Sequence, residues 1–132
     1  MPERAELVQI PLNIVAYFWS ESEPYLRQAH RRGHSDSPER LLERLYAEEC
    51  DLWVVSVDCE VAAAAVTGIR GDTVSIESCG GRKMSDWVYL LAEFESLAKA
   101  NGKTQIEIKG RKGWSRVLPG YHVQSVVLGK AL

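Results

Sequence analysis

The sequence predicts a mixed α/β domain: a central sheet, antiparallel except for one parallel crossover, with helices on both faces. Three observations predict it. Residues 51–79 are short apolar or alternating runs separated by the tight-turn signals "DCE" and "RGD", the texture of consecutive hairpins. A long stretch with apolar residues at three- and four-residue spacing follows, and then a second alternating run. A strand, a long helix and a strand in that order make a right-handed parallel crossover. Two further helical stretches precede the hairpins, so the order reads β-α-α-β-β-β-α-β-α-β, an α/β (α+β) arrangement within one domain spanning residues 1–132.

Each element has a local reason. "AELVQIP" alternates as a short strand, with Leu7 and Pro11 at its ends. From Leu12 to Arg32 the spacing turns helical through Ile14, Tyr17, Phe18, Tyr25, Leu26 and Ala29. Pro24 inside that pattern predicts a kink or two pieces. "RRGHSDSPER" is a break, and Ser37–Pro38 starts a short helix, the hydroxyl capping free N–H groups and the proline fixing the first turn. Leu41, Leu42 and Leu45 form its apolar stripe, which ends near "AEEC".

"DLWVVSV" and "VAAAAVTGI" are strands joined by "DCE", and the four alanines predict that something packs closely on the second. "TVSIESC" alternates, placing Val74, Ile76 and Ser78 on one face and Ser75, Glu77 and Cys79 on the other. RGD is an integrin-type tripeptide, but between two strands it reads as a hairpin turn. After "GG", Met84, Trp87, Val88, Leu91, Phe94 and Ala98 mark the long amphipathic helix, terminated by Asn101–Gly102. "TQIEIK" is a strand with Ile106 and Ile108 inward. "GWSRVL" gives one or two helical turns before Pro119 and Gly120, and "YHVQSVVLGKAL" closes the sheet.

Composition narrows the function classes. At 132 residues, 45% apolar and 26% charged, the chain has the make-up of an ordinary globule. Its net charge of −2 excludes a general basic field for nucleic acid. No apolar run reaches a membrane span, and "MPERAELVQI" lacks a signal-peptide core. Three scattered cysteines, Cys50, Cys59 and Cys79, suit neither a disulfide framework nor a zinc site, so the chain reads as intracellular and reduced, with no metal. His30 and His34 in a basic stretch read as a solvated helix end. Cys79 and His122 form a nucleophile pair only if the fold joins them, and a buried cysteine is more often an apolar filler.

The element order, with a glycine turn between the fourth strand and the long helix, resembles the GNAT superfamily of acyl-CoA-dependent N-acetyltransferases over nearly the whole chain. "LWVVSVDCEVAAAAVTGI" looks like the family's second and third strands, and "PGYHVQSVVLGKAL" like its C-terminal glycine-aromatic turn and last strand, with Gly120 and Tyr121 in those positions. "CGGRK…W" together with "GRKGWSRVLPGY" is similar to small GNAT-like proteins of phages and prophages, among them the short internal virion proteins of some podoviruses.

The resemblance implies three chemical stations. The first is a pyrophosphate cradle at the start of the long helix, where backbone N–H groups and the helix dipole hold the CoA phosphates. Gly80, Gly81, Arg82 and Lys83 occupy that place, without the spaced R/Q-x-x-G-x-G/A pattern. The second is a general base on or beside the fourth strand. Glu77 matches it, with Glu107 on the next strand as a second candidate; the bland alternative is a solvent-facing side chain. The third is a tyrosine acid shortly before the glycine-aromatic pair, where Arg116, Val117 and Leu118 stand instead.

"GRKGWSRVLPGY" lies at the carboxyl end of the parallel pair, where open α/β sheets bind ligands. Arg111, Trp114 and Arg116 there are candidates for meeting an acceptor, a partner or a nucleic acid, with Lys109 and Lys112 beside them. The alternative is a buried Trp114 among solvated cations. The altered cradle and missing tyrosine favour a GNAT-fold accessory protein of phage type. It would have a degenerate acetyl-CoA pocket, act through a protein partner or particle, and lie in the host cytoplasm or the virion. The alternatives are an active acetyl-CoA-dependent N-acetyltransferase and, last, a nucleic-acid-associated module.

Overall fold

Local preferences set most of the boundaries in the computed structural model, which describes residues 5–32, 35–109, 118, 120–122 and 130–131, with only the backbone at 84–90. Strand β1 is Ala5–Ile10, followed by a 3-10 turn at Leu12–Ile14 and helix α1, Val15–Arg31. Helix α2 is Pro38–Tyr46, and the Ser37 hydroxyl accepts from the Arg40 amide at 3.2 Å as its cap. Strands β2 (Asp51–Val57), β3 (Glu60–Arg70) and β4 (Thr73–Gly81) follow, then α3 (Met84–Ala100) and β5 (Gln105–Ile108). The expected last helix and closing strand lie outside the described residues.

The sheet order is β1-β2-β3-β4-β5, antiparallel except for the β4–β5 pair, which α3 connects as a parallel crossover. Both hairpins turn on two residues that the chain supplies locally. Asp58 and Cys59 take positive φ between β2 and β3, and Gly71 (φ 58°) begins the turn inside "RGD". The carboxyl end of α3 closes with Gly102 at φ 73°, the Gly102 amide donating to the Lys99 carbonyl and the Lys103 amide to that of Ala98. These two bonds satisfy carbonyls that the helix leaves open.

Two apolar layers flank the sheet. On one face Val15 and Leu26 of α1 and Leu41 and Leu45 of α2 pack on Leu52, Val54, Ala64 and Val66. On the other, Leu91 and Phe94 of α3 pack on Val55, Ala63, Ala65 and Ile76, with Trp53 edge-on to Phe94 at 4.9 Å. Ala62, Ala63, Ala64 and Ala65 are wholly buried between these layers, which is why β3 carries small side chains.

Two expectations are corrected. Helix α1 is one helix rather than two pieces, with Pro24 inside it and exposed to solvent. There the carbonyl that loses its intrahelical partner can be met by water. The alternation of β4 also fails at one point. Val66 pairs with Ser78 but Thr67 pairs with Ile76, so Glu77 is an extra residue in a β-bulge. The bulge resets the pleat. Ile76 and Cys79 therefore share the α3 face, although strict alternation would separate them.

Candidate functional site

The bulge lies where the described β4–β5 pairing ends. Pairing of β4 with β5 runs from Thr73↔Gln105 to Ile76↔Ile108, and the Lys109 amide adds a last bond to the Ile76 carbonyl at 3.0 Å. Beyond it β4 continues to Gly81 with no further β5 partner among the described residues.

Glu77 is largely buried and each of its oxygens meets a cation. Arg44 Nη2 of α2 donates to Oε2 at 2.8 Å, and Lys109 Nζ lies 3.6 Å from Oε1. The second amino group of Arg44 reaches Asp36 at 3.3 Å, so one guanidinium ties the approach to α2 to the bulge. Burial works to lower the Arg44 pKa, but the hydrogen bond and charge of Glu77 more than offset it and hold the guanidinium above its ordinary value. Gly68 on β3 makes room: a Cβ there would stand 3.1 Å from Glu77 Oε2. Ser75 and Ser78, on either side of the bulge, have buried hydroxyls without a hydrogen-bond partner among the described residues. Sequence reasoning named Glu77 but missed Arg44 and the two serines. A helix-surface arginine and strand serines carry no local signal of what they will face.

The glycines preceding α3 lie within β4 rather than in a loop. A Cβ on Gly80 would sit 2.5 Å from the Tyr25 carbonyl oxygen of α1, and one on Gly81 would sit 3.0 Å from the Ala63 Cβ. The Arg82 amide donates to the Ala62 carbonyl at 2.9 Å, and its guanidinium lies 3.9 Å from Glu60. Lys83, in extended conformation, is the N-cap residue of α3. Glu107, the second carboxylate candidate, stands opposite Ser75 in the parallel pair and meets Arg70 at 3.2 Å. Arg111, Trp114 and Arg116 lie outside the described residues.

Tyr121 packs against the α3-side core and donates its hydroxyl to Glu95 at 3.2 Å. Burial first, and then the charge of Glu95, hold this phenol well above its usual range. Cys79 is buried, and burial pushes its thiol up to about 12, whereas His122 is exposed. His30 Nδ1 lies 2.9 Å from the Ser35 carbonyl oxygen at the end of α1. Among the described residues no group of His, Cys, Asp and Glu could hold a metal, and no helix is long and apolar enough to cross a membrane.

These elements define a mixed α+β class: hairpins feeding a bulged fourth strand, a crossover helix, and a parallel pair whose described pairing ends beside a carboxylate. The fold is that of the GNAT acetyltransferases. An aminoglycoside acetyltransferase from an uncultured soil metagenomic sample, solved with sisomicin, superposes with TM-score 0.70 at 10% identity, covering 97% of this chain and 96% of that one. An aminoglycoside N-acetyltransferase solved with CoA gives 0.67 at 14%, covering 99% and 97%. A ribosomal-protein-alanine N-acetyltransferase from Brucella melitensis biovar Abortus 2308 gives 0.65 at 11%, covering 96% and 100%. No family model and no curated protein matches the chain in sequence.

Proposed function

We propose that this chain is a GNAT-fold accessory protein of phage type, its acetyl-CoA pocket degenerate, acting by binding a protein partner or a particle. The observation that carries this reading is the state of Glu77. Both oxygens of the one carboxylate at the bulge lie against cations of the chain itself, Arg44 and Lys109, so an incoming amine would have to displace an internal partner to reach them. Close packing supports it as well. On the side that α1 covers, Gly80 offers no open backbone for CoA phosphates, because the Tyr25 carbonyl already fills the space a side chain would take. Tyr121, the aromatic of the glycine-aromatic pair, spends its hydroxyl on Glu95. The phage assignment rests on the likeness of "CGGRK…W" and "GRKGWSRVLPGY" to such proteins, and it puts the chain in the host cytoplasm or within a particle.

The test is recovery of the tagged protein at native expression level. Stoichiometric co-purification with one partner or with particles is expected, and a clean monomer would overturn the reading. Calorimetric titration with acetyl-CoA provides the second arm. No binding is expected at millimolar ligand; micromolar binding lost in Arg82→Ala/Lys83→Ala would replace this reading with the next.

A second reading, an active acetyl-CoA-dependent N-acetyltransferase, is favoured by the buried serines on either side of Glu77. The hydroxyls of Ser75 and Ser78, buried and unpartnered among the described residues, are groups that a bound molecule or water would satisfy. Here Gly80, Gly81, Arg82 and Lys83 would hold CoA, which supplies the acyl thioester, and Glu77 would take the acceptor's proton once Arg44 is displaced. Glu77→Gln then abolishes turnover while leaving the fold intact.

A further inference from the structure

Strand β1 ends the sheet: it bonds to β2 along one side and to no other strand among the described residues. An edge strand presents a row of N–H and C=O groups ready to pair with another chain, and soluble proteins ordinarily blunt it with lysine, proline, a bulge or a covering segment. The first three are missing from β1. Its six residues, Ala5–Ile10, hold one charge, Glu6, and neither lysine nor proline. Their register with β2 runs without a shift from Ala5↔Val57 to Ile10↔Leu52.

Apolar surface is concentrated beside this edge. Of the seven large apolar side chains exposed among the described residues, Val8, Leu12, Ile14 and Tyr17 fall between positions 8 and 17, Tyr17 by 78%. That stretch has no charged side chain. Exposed apolar surface gathered in this way marks an interaction site.

We infer that β1 pairs antiparallel with β1 of a second copy of this chain, about a two-fold axis at Val8, joining the two sheets into one. The occupant follows from the strand, which is complementary to its own copy. Ala5 and Leu7 lie on the α3 side and Ile10 on the α1 side, so alternation puts Glu6 and Val8 with Ile10. An axis at Val8 sets Val8 against Val8, Leu7 against Gln9 and Glu6 against Ile10, so each pair shares a face. It also keeps the two Glu6 carboxylates at opposite ends of the ribbon. Moving the axis to Leu7 would make them diagonal neighbours about 7–8 Å apart. Moving it to Gln9 would set Leu7 against Pro11, which has no N–H to give. Leu12, Ile14 and Tyr17 continue the apolar surface past the end of the strand. The pairing does not involve Glu77 or its cations, so the inference goes beyond the accessory reading and does not rest on it.

Sedimentation equilibrium of the purified full chain provides the test. The parent is expected to be a dimer at about 100 µM and to dissociate on dilution. Val8→Lys and Val8→Glu each set like charges directly opposite one another, and each should raise the dimer dissociation constant at least about tenfold. Mixing the two variants is the decisive step. Lysine then faces glutamate, and a heterodimer should form where neither variant dimerises alone, a result that only a residue meeting itself across an axis gives. Hydrogen exchange on the unaltered protein needs no variant to fold: amides of β1 should be better protected at about 100 µM than at about 1 µM. A parent that is monomeric at about 100 µM overturns the inference, as does a dimer that Val8→Lys leaves unchanged. So do variants that fail to pair on mixing, and β1 amides whose exchange ignores concentration. Association with a different protein that Val8→Lys abolishes also overturns it, because that partner then holds the edge.

Discussion

Replacing Gly80 by alanine separates two meanings of the double glycine. The added Cβ would lie 2.5 Å from the Tyr25 carbonyl oxygen, where ordinary contact begins near 3.4 Å. Helix α1 must therefore retreat by nearly an ångström, or β4 must bend. The obstacle is backbone in the middle of a helix, not the tip of a flexible side chain, so the cost belongs at the upper end of overpacking, about 3 kcal/mol. Gly80 is not in the left-handed region, so alanine also stiffens the unfolded chain, but that returns only about 0.5–1 kcal/mol. The net loss is about 2–2.5 kcal/mol, or roughly 6–15 °C in Tm for a chain of this size. Gly81→Ala meets the Ala63 Cβ at 3.0 Å and should lose about 1 kcal/mol. Urea denaturation of the ligand-free protein measures both. If Gly80→Ala stays within about 0.5 kcal/mol of the parent, the packing account of this glycine is wrong.

Three other perturbations have worked outcomes. Glu77→Gln should lose about 2 kcal/mol, between the values for exposed and fully buried pairs, because Arg44 keeps Asp36 as a partner. A double-mutant cycle with Arg44→Met that shows no coupling would refute the pair's contribution. Ser37→Ala removes the cap on the Arg40 amide and should lose about 1 kcal/mol by the same urea assay. Burial raises Cys50 to about 11 and Cys79 to about 12 from 9.0, above their unfolded values. Their contribution to stability is thus complete below pH 9 and is lost as the pH climbs toward those values. Urea midpoints measured across pH 8 to 11 should hold and then fall. At pH 8 a thiol reagent should titrate the exposed Cys59 and reach Cys50 and Cys79 only after unfolding.

Much of the fold was legible because it rests on local conformational preference. Ser37–Pro38 caps and starts α2 wherever that helix is placed, and Asn101–Gly102 ends α3 through its own left-handed residue. The turns at Asp58–Cys59 and Gly71–Asp72 follow from short polar or glycine residues between apolar runs. The strand–helix–strand crossover had one favoured hand, so the parallel β4–β5 pair followed from element order. Glu77 was recognisable as the carboxylate of the fourth strand through its likeness to a family.

What surrounds Glu77 was not legible, because it depends on residues far apart in the chain. The bulge arises from how nine residues of β4 must match β3 while both apolar layers stay filled, and no run of β4 alone encodes that compromise. The Arg44–Glu77 pair spans 33 positions, and the clash that reserves Gly80 for glycine comes from a carbonyl in α1. Pro24 is tolerated inside α1 because packing turns it toward solvent, which periodicity alone does not report. Over the described residues the sequence by itself determined the helices, the turns and the order of the elements, since each depends on neighbours within a few residues. Tertiary structure decided which charges meet and which glycines are crowded, because those energies come into being only when distant segments close on one another.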